Sequence, residues 1–416
     1  MTPTHTRTVL VVRRLLAAGA LAATVCAPLA AQRLGPPVQR PSLPDAADTN
    51  DAHAYFNYGL AAFRKKPEDA ADAFYWAARI NPALGEALYA RRAALIMKDR
   101  WKLKSVMEGH RRTLESPEMQ RIDSLQSRAL MLSPFLYRQL DREMFISYFR
   151  NSVTNNSRSP DESPELEYEI EVYLRNAGEA MRAYLAYGSR NFPAALKHYA
   201  NALSQSDDKA GVRLSRARIF GLIGQADSAI AQFQLARDEM RRRDSKDIVV
   251  FYDSKALIEF SIAVLQEGAG DAAAARESYG RALQEDLAYY PAHMRLGLLA
   301  LAARDTAAVL SELSLAAQLA PDEPHVRYIH GYGLIGAKHF EEAAGEFRKS
   351  IALEPYYALP YLWLGRVLEQ LGKEKEAFDA FQQFLDRASR SDPQRALATA
   401  SRDELRPFAM TPVATP

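Results

Sequence analysis

The C-terminal half of the sequence repeats itself every 34 residues. In the windows 290–323, 324–357 and 358–391 the eighth position is glycine and the twenty-fourth is a large apolar residue. Positions 20, 24 and 27 are spaced as i, i+4 and i+7, so they share one helix face. A repeat this short cannot bury that face alone, and the period therefore predicts helix pairs that stack on their neighbours. The residues are Gly297, Gly331 and Gly365 at position 8, and Leu313, Phe347 and Phe381 at position 24.

The same spacing continues upstream with breaks in register. Small residues recur at positions 20 and 27 around an aromatic residue at position 24, and Pro321 and Pro355 at position 32 would end the second helix. An Ala-rich helical bundle without repeats is the alternative. The upstream faces are Ala275, Tyr279 and Ala282; Ala229, Phe233 and Ala236; Ala195, Tyr199 and Ala202; and Ala70, Phe74 and Ala77.

These residues make the chain resemble tetratricopeptide repeat (TPR) proteins. The pattern is most complete over 256–391, less complete over 176–245 and least complete over 51–118. His293, Arg327 and Tyr361 stand where the family usually has tryptophan, at position 4. The resemblance implies an all-α chain, folded as a right-handed superhelical solenoid of TPR-like helix hairpins. An irregular helical insertion is expected in its N-terminal half.

Residues 1–31 are typical of a secretory signal peptide. Arg7, Arg13 and Arg14 precede a short, Ala-rich apolar core, and small residues follow it up to a predicted cleavage site after Ala31. We therefore expect an exported protein, in the periplasm or outside the cell. An uncleaved membrane anchor is the alternative. Cleavage would also remove Cys26, the only cysteine, so that the mature chain would have no disulfide to form.

Composition and periodicity divide the rest of the chain into five segments. The Pro-rich residues 32–50 are expected to form an extended, solvated tether, and 51–118 to form degenerate TPR-like hairpins. Residues 119–175 are helical but do not fit the repeat, and they contain a polar loop. The main TPR array is 176–391. The tail, 392–416, is expected to contain one short helix.

Charge is nearly balanced, with 53 Lys and Arg residues against 51 Asp and Glu residues. This balance argues against a strongly basic nucleic-acid binder. No stretch after the signal segment is apolar for long enough to cross a membrane. We therefore expect protein partners, no nucleic-acid partner and no transmembrane segment in the mature chain. The sequence does not indicate an oligomeric state.

Two short patterns resemble ligand-binding motifs. Residues 331–336 read G-Y-G-L-I-G, which matches the dinucleotide fingerprint, but that fingerprint must follow a strand and open a helix. Gly331 also occupies the small position of the repeat, which favours a packing role. His325, His330 and His339 are spaced by five and nine residues, unlike the i, i+4 pair of a helical zinc site. We expect no cofactor, no metal and no enzymatic activity.

The first helix of each repeat offers a candidate binding face, since positions 2, 5, 9 and 12 line the inner groove in proteins of this family. Here these positions are mostly apolar and lack the Lys and Asn pattern that clamps a C-terminal carboxylate. An apolar peptide or an amphipathic helix would suit them. Alternatively, neighbouring helices or the tail cover them. The candidate partner-binding residues are Leu257, Phe260, Val264, Met294, Leu298, Leu301, Tyr328, Tyr332 and Ile335.

The sequence therefore predicts a non-catalytic scaffold or adaptor of the cell envelope, which binds another protein through this groove. The alternative is an auxiliary subunit of envelope polysaccharide or peptidoglycan metabolism that binds glycan or a glycan enzyme. Glycan stacking would require exposed aromatic faces, whereas repeat packing requires buried ones. The candidate residues for stacking are Tyr289 and Tyr290, Tyr328 and Tyr332, and Tyr356 and Tyr357.

Overall fold

The computed structural model describes residues 38–44, 46–153, 168, 172, 177–243 and 254–409. Within these residues the chain is all-α, with twenty helices and no β-strand. The predicted signal peptide lies outside the described residues, and so does the polar loop expected in 119–175 beyond residue 153. Across the described ranges, no helix is both long enough and apolar enough to cross a membrane.

The helices are numbered in chain order. The first seven are α1 (Ala52–Ala62), α2 (Pro67–Ile80), α3 (Gly85–Met97), α4 (Arg100–Glu108), α5 (Arg111–Leu114), α6 (Pro117–Leu132) and α7 (Leu140–Val153). The next six are α8 (Glu179–Gly188), α9 (Phe192–Gln205), α10 (Lys209–Leu222), α11 (Ala226–Arg243), α12 (Lys255–Gly268) and α13 (Ala272–Glu285). The last seven are α14 (Tyr290–Ala302), α15 (Thr306–Leu319), α16 (Pro324–Gly336), α17 (Phe340–Leu353), α18 (Leu359–Gln370), α19 (Glu374–Arg387) and α20 (Arg395–Ala409).

From α8 to α19 the helices form consecutive antiparallel pairs, beginning with α8 and α9 and ending with α18 and α19. The second helix of each pair also packs on the first helix of the next pair. This is the stacked-hairpin architecture of a TPR solenoid, and it confirms the fold class expected from the sequence. The predicted helix of the tail is α20, which packs on α19 and closes the end of the array.

A small residue facing a large one allows the two helices of a pair to approach. A Cβ atom added to Gly331 would lie 2.8 Å from Cε1 of Phe347, and one added to Gly365 would lie 2.8 Å from Cε1 of Phe381. Both phenylalanines are fully buried. A close-packed interior has no room for the extra atom. The distance between the two helices therefore depends on having glycine, which has no side chain, at position 8. The packing roles predicted for positions 8 and 24 are therefore confirmed.

The turn inside each pair requires a left-handed residue at position 15. Gly270 adopts a φ of 83° and Gly372 a φ of 66° at this position. The equivalent Arg304 and Lys338 adopt φ values of 58° and 63° although they carry side chains. Left-handed backbone costs a non-glycine residue roughly 1–2 kcal/mol, so the closure of the hairpin must offset this strain.

Polar pairs replace the family's tryptophan at position 4. His293 Nδ1 lies 2.7 Å from Glu312 Oε2, and Arg327 Nη1 donates a hydrogen bond to Glu346 Oε2 at 3.1 Å. Each pair joins the first helix to the second across nineteen residues of sequence, from position 4 to position 23. The departure from the family pattern therefore keeps the contact between the helices and changes its chemistry.

The pairing is interrupted in the N-terminal half. There α1 and α2 form a regular pair, in which a Cβ added to Gly59 would lie 2.6 Å from Phe74 Cε1. The next hairpin is formed by α3 and α6, and α4 and α5 are inserted between them in the sequence. The segment 119–175, which we expected to stand outside the repeats, thus supplies most of the second helix of a hairpin.

The N-terminal hairpin contacts the last repeats through arginines and aromatic rings. Arg79 on α2 donates from Nε to both carboxylate oxygens of Glu354, at 3.1 Å each, and Glu354 is buried in the turn between α17 and α18. The Trp76 and Tyr356 rings meet edge to face, with centroids 4.9 Å apart. Arg40 Cζ lies 4.9 Å from the Trp76 centroid. We refer to these five residues as the N–C clasp.

The end of the predicted tether adds to this contact. Asn50 Nδ2 donates to the carbonyl oxygen of Asp386 at 2.8 Å, and the backbone N–H of Arg390 donates to Asp48. We expected residues 32–50 to be solvated. From Arg40 onward the segment is instead attached to the last repeats, because its polar side chains find hydrogen-bond partners at the end of α19 and just beyond it.

We expect Gly331→Ala to destabilise the protein. Alanine favours a helix by about 1 kcal/mol over glycine, but its methyl group would press on the buried Phe347 ring, and overpacking costs about 1–3 kcal/mol. Gly345→Ala is the matched control, since a Cβ there would meet no atom within 4 Å. The control should raise the free energy of unfolding, measured in urea, by about 0.5–1 kcal/mol. A stabilised Gly331→Ala variant would contradict the packing role of position 8.

We expect Glu354→Gln to loosen the N–C clasp. It removes the charge partner of Arg79 from a buried site, and breaking a buried pair costs roughly 3 kcal/mol or more. Amide hydrogen exchange should become faster throughout α1 and α2. Glu376→Gln is the control, since it breaks an exposed pair with Arg348 that is worth less than about 1 kcal/mol. Equal exchange in α1 and α2 of both variants would show that the clasp does not hold this hairpin.

Candidate functional site

Three of the nine predicted groove residues lie in the core. Leu257, Phe260 and Met294 are buried. The Phe260 ring lies 5.5 Å, between centroids, from the rings of both Tyr279 and Tyr289. Side chains in such contact with neighbouring helices leave no surface for a partner. The sequence left open whether these residues bind a partner or are covered by the protein itself. These three are covered by neighbouring helices.

The other six predicted residues are partly buried. The Tyr328 ring packs on Tyr357, with centroids 5.5 Å apart. The Tyr332 ring meets Trp363 edge to face, with centroids 4.9 Å apart. Ile335, at the end of α16, lines an open cavity. The six residues are Val264, Leu298, Leu301, Tyr328, Tyr332 and Ile335.

The cavity lies between α16, the start of α17, α18 and α20, and has a volume of about 410 Å³. The first helices of the last two repeats form two sides of it: α18 contributes its positions 6, 9 and 12, and α16 contributes its position 12. The helix of the tail forms the third side. We refer to it as the first-helix cavity. Its walls are Ile335, Phe340, Trp363, Arg366, Val367, Glu369, Gln370, Leu397 and Ser401.

The first-helix cavity combines apolar walls with charge. Arg366 Cζ lies 4.9 Å from the centroid of the Trp363 ring, at cation–π distance. Burial raises the pKa of Glu369, the charge of Glu404 on α20 raises it further, and Arg366 opposes both. A few charged groups around an apolar lining are typical of a ligand site. The apolar walls hold an apolar group, and the charged groups fix the orientation of the ligand.

Of the nine predicted groove residues, Ile335 lines this cavity, and sequence reasoning missed the other walls. Trp363 falls at position 6, beside the four positions that define the groove in related proteins. Arg366 falls at position 9, but its charge breaks the apolar pattern from which the groove residues were predicted. Leu397 reaches the cavity only because α20 folds back on the last repeat, and no local pattern encodes that contact.

The G-Y-G-L-I-G segment lies inside α16 and does not join a strand to a helix. A Cβ added to Gly333 would collide with the Leu313 side chain, and one added to Gly336 would collide with Leu301. The glycines therefore let α16 pack against the preceding pair, which confirms the packing role that the repeat position favoured. Inside a helix, the backbone amides are bonded along the chain and cannot cradle a phosphate.

The three histidines have separate surroundings. His325 Nδ1 lies 3.4 Å from the Tyr357 hydroxyl, and burial lowers the pKa of this histidine to about 4. His330 Nδ1 lies 3.4 Å from a carboxylate oxygen of Glu346, and His339 contacts a glutamate in the first turn of α17. In the ranges that the structure describes, no three His, Cys, Asp or Glu side chains are grouped so that they could hold a metal ion.

The tyrosines considered for glycan stacking are largely covered. Tyr289 and Tyr357 are buried, whereas Tyr290, Tyr328 and Tyr332 are partly buried. Tyr356 is the most exposed of the six, but its ring is part of the N–C clasp and packs on Trp76 and Arg79. Stacking on sugars requires a free aromatic face with polar neighbours, and burial or the clasp limits the free face of these rings.

No family model and no curated protein is significantly similar to this sequence. Several solved structures overlay on part of the chain. YrrB, described as a TPR protein with an unusual peptide-binding site, is 16% identical, and the match covers 50% of this chain and 100% of YrrB with a TM-score of 0.40. The C-terminal part of a TPR repeat-containing protein from Cytophaga hutchinsonii is 16% identical, over 54% of this chain and 84% of that one, with a TM-score of 0.42.

MamA from Desulfovibrio magneticus RS-1 is 18% identical, and the match covers 43% of this chain and 95% of MamA with a TM-score of 0.36. These overlays are partial and the identities are low. The TPR architecture of this chain is established by its own helix pairs, their spacing and the small and large residues that join them.

We expect the polar pair of the α16–α17 repeat to weaken in acid. Burial raises the pKa of Glu346, but the adjacent His330, a hydrogen bond from Lys349 and the charge of Arg327 outweigh it and bring the pKa to about 2. An ordinary glutamate in the unfolded chain titrates near 4.5. Ionised Glu346 therefore stabilises the fold above about pH 4.5, and this contribution is lost as the pH falls towards 2.

The pH dependence of unfolding tests this assignment. At pH 7, Glu346→Gln should lower the free energy of unfolding by roughly 3 kcal/mol, and the difference from the parent should shrink towards zero near pH 2. Glu342→Gln is the control on the same helix, because its carboxylate is mostly exposed and should contribute less than about 1 kcal/mol. A difference between Glu346→Gln and the parent that stays constant with pH would contradict the prediction.

Proposed function

We propose that this chain is a non-catalytic protein–protein interaction scaffold that binds a segment of its partner at the first-helix cavity. The observation that carries the proposal is the cavity itself, a preformed apolar recess on the face where Tyr332 and Ile335 were expected to bind. Its size falls in the range of about 300–1,000 Å³ that is usual for binding sites. Stacked helix pairs hold its walls in place, so that binding needs little rearrangement.

The partner is proposed to insert one large apolar side chain. Ile335, Trp363 and Leu397 would contact that side chain, and burial of such an anchor dominates the energy of most interfaces. Arg366 and Glu369 stand on the same walls, so that a charged residue next to the anchor would pair with one of them. An apolar residue beside a charged one is therefore the motif that we expect in the partner.

The proposed place of action is the cell envelope, after export. This part of the proposal is supported by the basic, apolar and small-residue order of residues 1–31, which lie outside the described residues. It is compatible with a mature chain that has no cysteine, because such a chain needs no disulfide in an oxidising compartment. Mass spectrometry of the exported protein tests it: an N-terminus at Gln32 is expected.

Peptide selection tests the binding site. A phage-displayed peptide library is selected on residues 32–416, and the recovered peptides are titrated by fluorescence anisotropy. Leu397→Glu introduces a charge on the cavity wall at a side chain that is 47% exposed, so folding should not be affected. We expect it to weaken peptide binding by ~10-fold or more, the effect of losing one important contact.

Leu319→Glu is the matched control, because Leu319 is 41% exposed and lies on α15, away from the first-helix cavity. Its affinity for the same peptides should equal that of the parent. Peptides that bind Leu397→Glu as tightly as the parent, or a library that yields no binding peptide, would count against the cavity as the binding site.

A further inference from the structure

The face of α20 that lines the first-helix cavity continues beyond it. Leu397 and Ser401 are walls of the cavity. Glu404 and Phe408 follow Leu397 at i+7 and i+11, so that all these side chains lie along one face of the helix. Leu397 is 47% exposed and Phe408 is 57% exposed. We refer to these four residues as the α20 stripe, which has an acidic residue between two exposed apolar ones.

The middle of the α20 stripe is acidic. Burial raises the pKa of Glu369 on α18, and the charge of Glu404 raises it further, so the two carboxylates are close enough to repel each other. Within the ranges that the structure describes, neither carboxylate forms an ion pair. Arg366 opposes their charge, and its guanidinium is stacked on Trp363. Two carboxylates against one guanidinium leave this region net negative, which favours a basic residue of the partner.

The α20 stripe offers side chains but no free backbone. The peptide groups of α18 and α20 are bonded within their own helices, so an extended chain would find no sheet edge to pair with. A segment that satisfies its own backbone groups, as a helix does, suits such a face. At 1.5 Å per residue, Glu404 lies about 10 Å and Phe408 about 16 Å along the axis from Leu397. A partner helix that lies along α20 would therefore carry matching side chains at the same spacing.

We propose that the partner segment is a basic amphipathic helix that lies along the α20 stripe. Its apolar anchor enters the first-helix cavity, and a lysine or arginine seven residues from the anchor pairs with Glu369 and Glu404. An apolar residue eleven residues from the anchor packs on Phe408. This inference rests on the proposed function, because the anchor is the side chain proposed there. Residues 410–416, which follow α20, carry no basic side chain and do not supply this chemistry.

The peptides recovered on residues 32–416 test this inference, if the library is long enough for about four helical turns. The recovered peptides should carry lysine or arginine seven residues from an apolar residue, in either direction along the chain. Glu404 is exposed, so Glu404→Lys should not affect folding. This variant should bind the recovered peptides ~3- to 10-fold more weakly, because an attraction at the rim is replaced by a repulsion. Fluorescence anisotropy measures the change.

A charge swap separates recognition from damage to the fold. A peptide whose basic residue is replaced by glutamate should bind the parent more weakly and should regain affinity for Glu404→Lys, which a misfolded variant could not produce. Phe408→Ser should weaken binding by ~3- to 10-fold through loss of the second apolar contact. Glu277→Lys is the matched control, because Glu277 is exposed on α13, away from the cavity, and the net charge changes equally. It should bind as the parent does.

The outcomes distinguish this inference from the proposed function. Peptides that lose affinity for Leu397→Glu but lack a basic residue, or bind Glu404→Lys as they bind the parent, would overturn the basic helix and leave the cavity as the partner site. Equal weakening by Glu277→Lys would trace the effect to net charge and also overturn it. Peptides indifferent to Leu397→Glu would overturn both. A parent that dimerises in sedimentation velocity, with a monomeric Phe408→Ser, would assign the α20 stripe to a second copy and overturn the inference.

Discussion

Every repeat of this protein depends on one steric constraint. The first helix must carry a small residue at position 8, where the second helix places a large residue from position 24. At Gly331 and Gly365 an added Cβ would lie 2.8 Å from the ring of the facing phenylalanine, closer than ordinary van der Waals contact. This contact sets the distance between the paired helices, and that distance sets how one pair stacks on the next. The first helices are thereby brought onto one face, where the first-helix cavity forms.

Other positions of the repeat vary because their contacts can be made with different chemistry. A tryptophan at position 4 is dispensable when an ion pair such as Arg327 with Glu346 joins the same two helices. Arginine or lysine replaces glycine in the left-handed turn, since the strain is small compared with the packing that closes the hairpin. Steric constraints inside the pair are thus strict, whereas polar and turn positions are tolerant.

The N–C clasp makes this array differ from an open stack of repeats. In an open solenoid each repeat contacts only its neighbours, and stability is close to a sum of local terms. Here Arg79 and Glu354 are joined across 275 residues of sequence, and Arg128 and Glu323 across 195. The N-terminal hairpins are therefore coupled to the last repeats. The same interrupted region also contacts the start of the regular array, where the backbone N–H of Arg138 donates to the Tyr187 hydroxyl.

The sequence by itself determined the helix pairs, their period and the residues at positions 8 and 24, because these depend on contacts between residues within one repeat. Its prediction of a binding face included both Ile335, which lines a cavity, and Phe260, which is buried, and it could not separate them, since both fit the same helical stripe. Only the tertiary structure decided which part of that stripe stays open. It also decided the N–C clasp, because the clasp brings together residues that are far apart in the chain and carry no shared periodic signal.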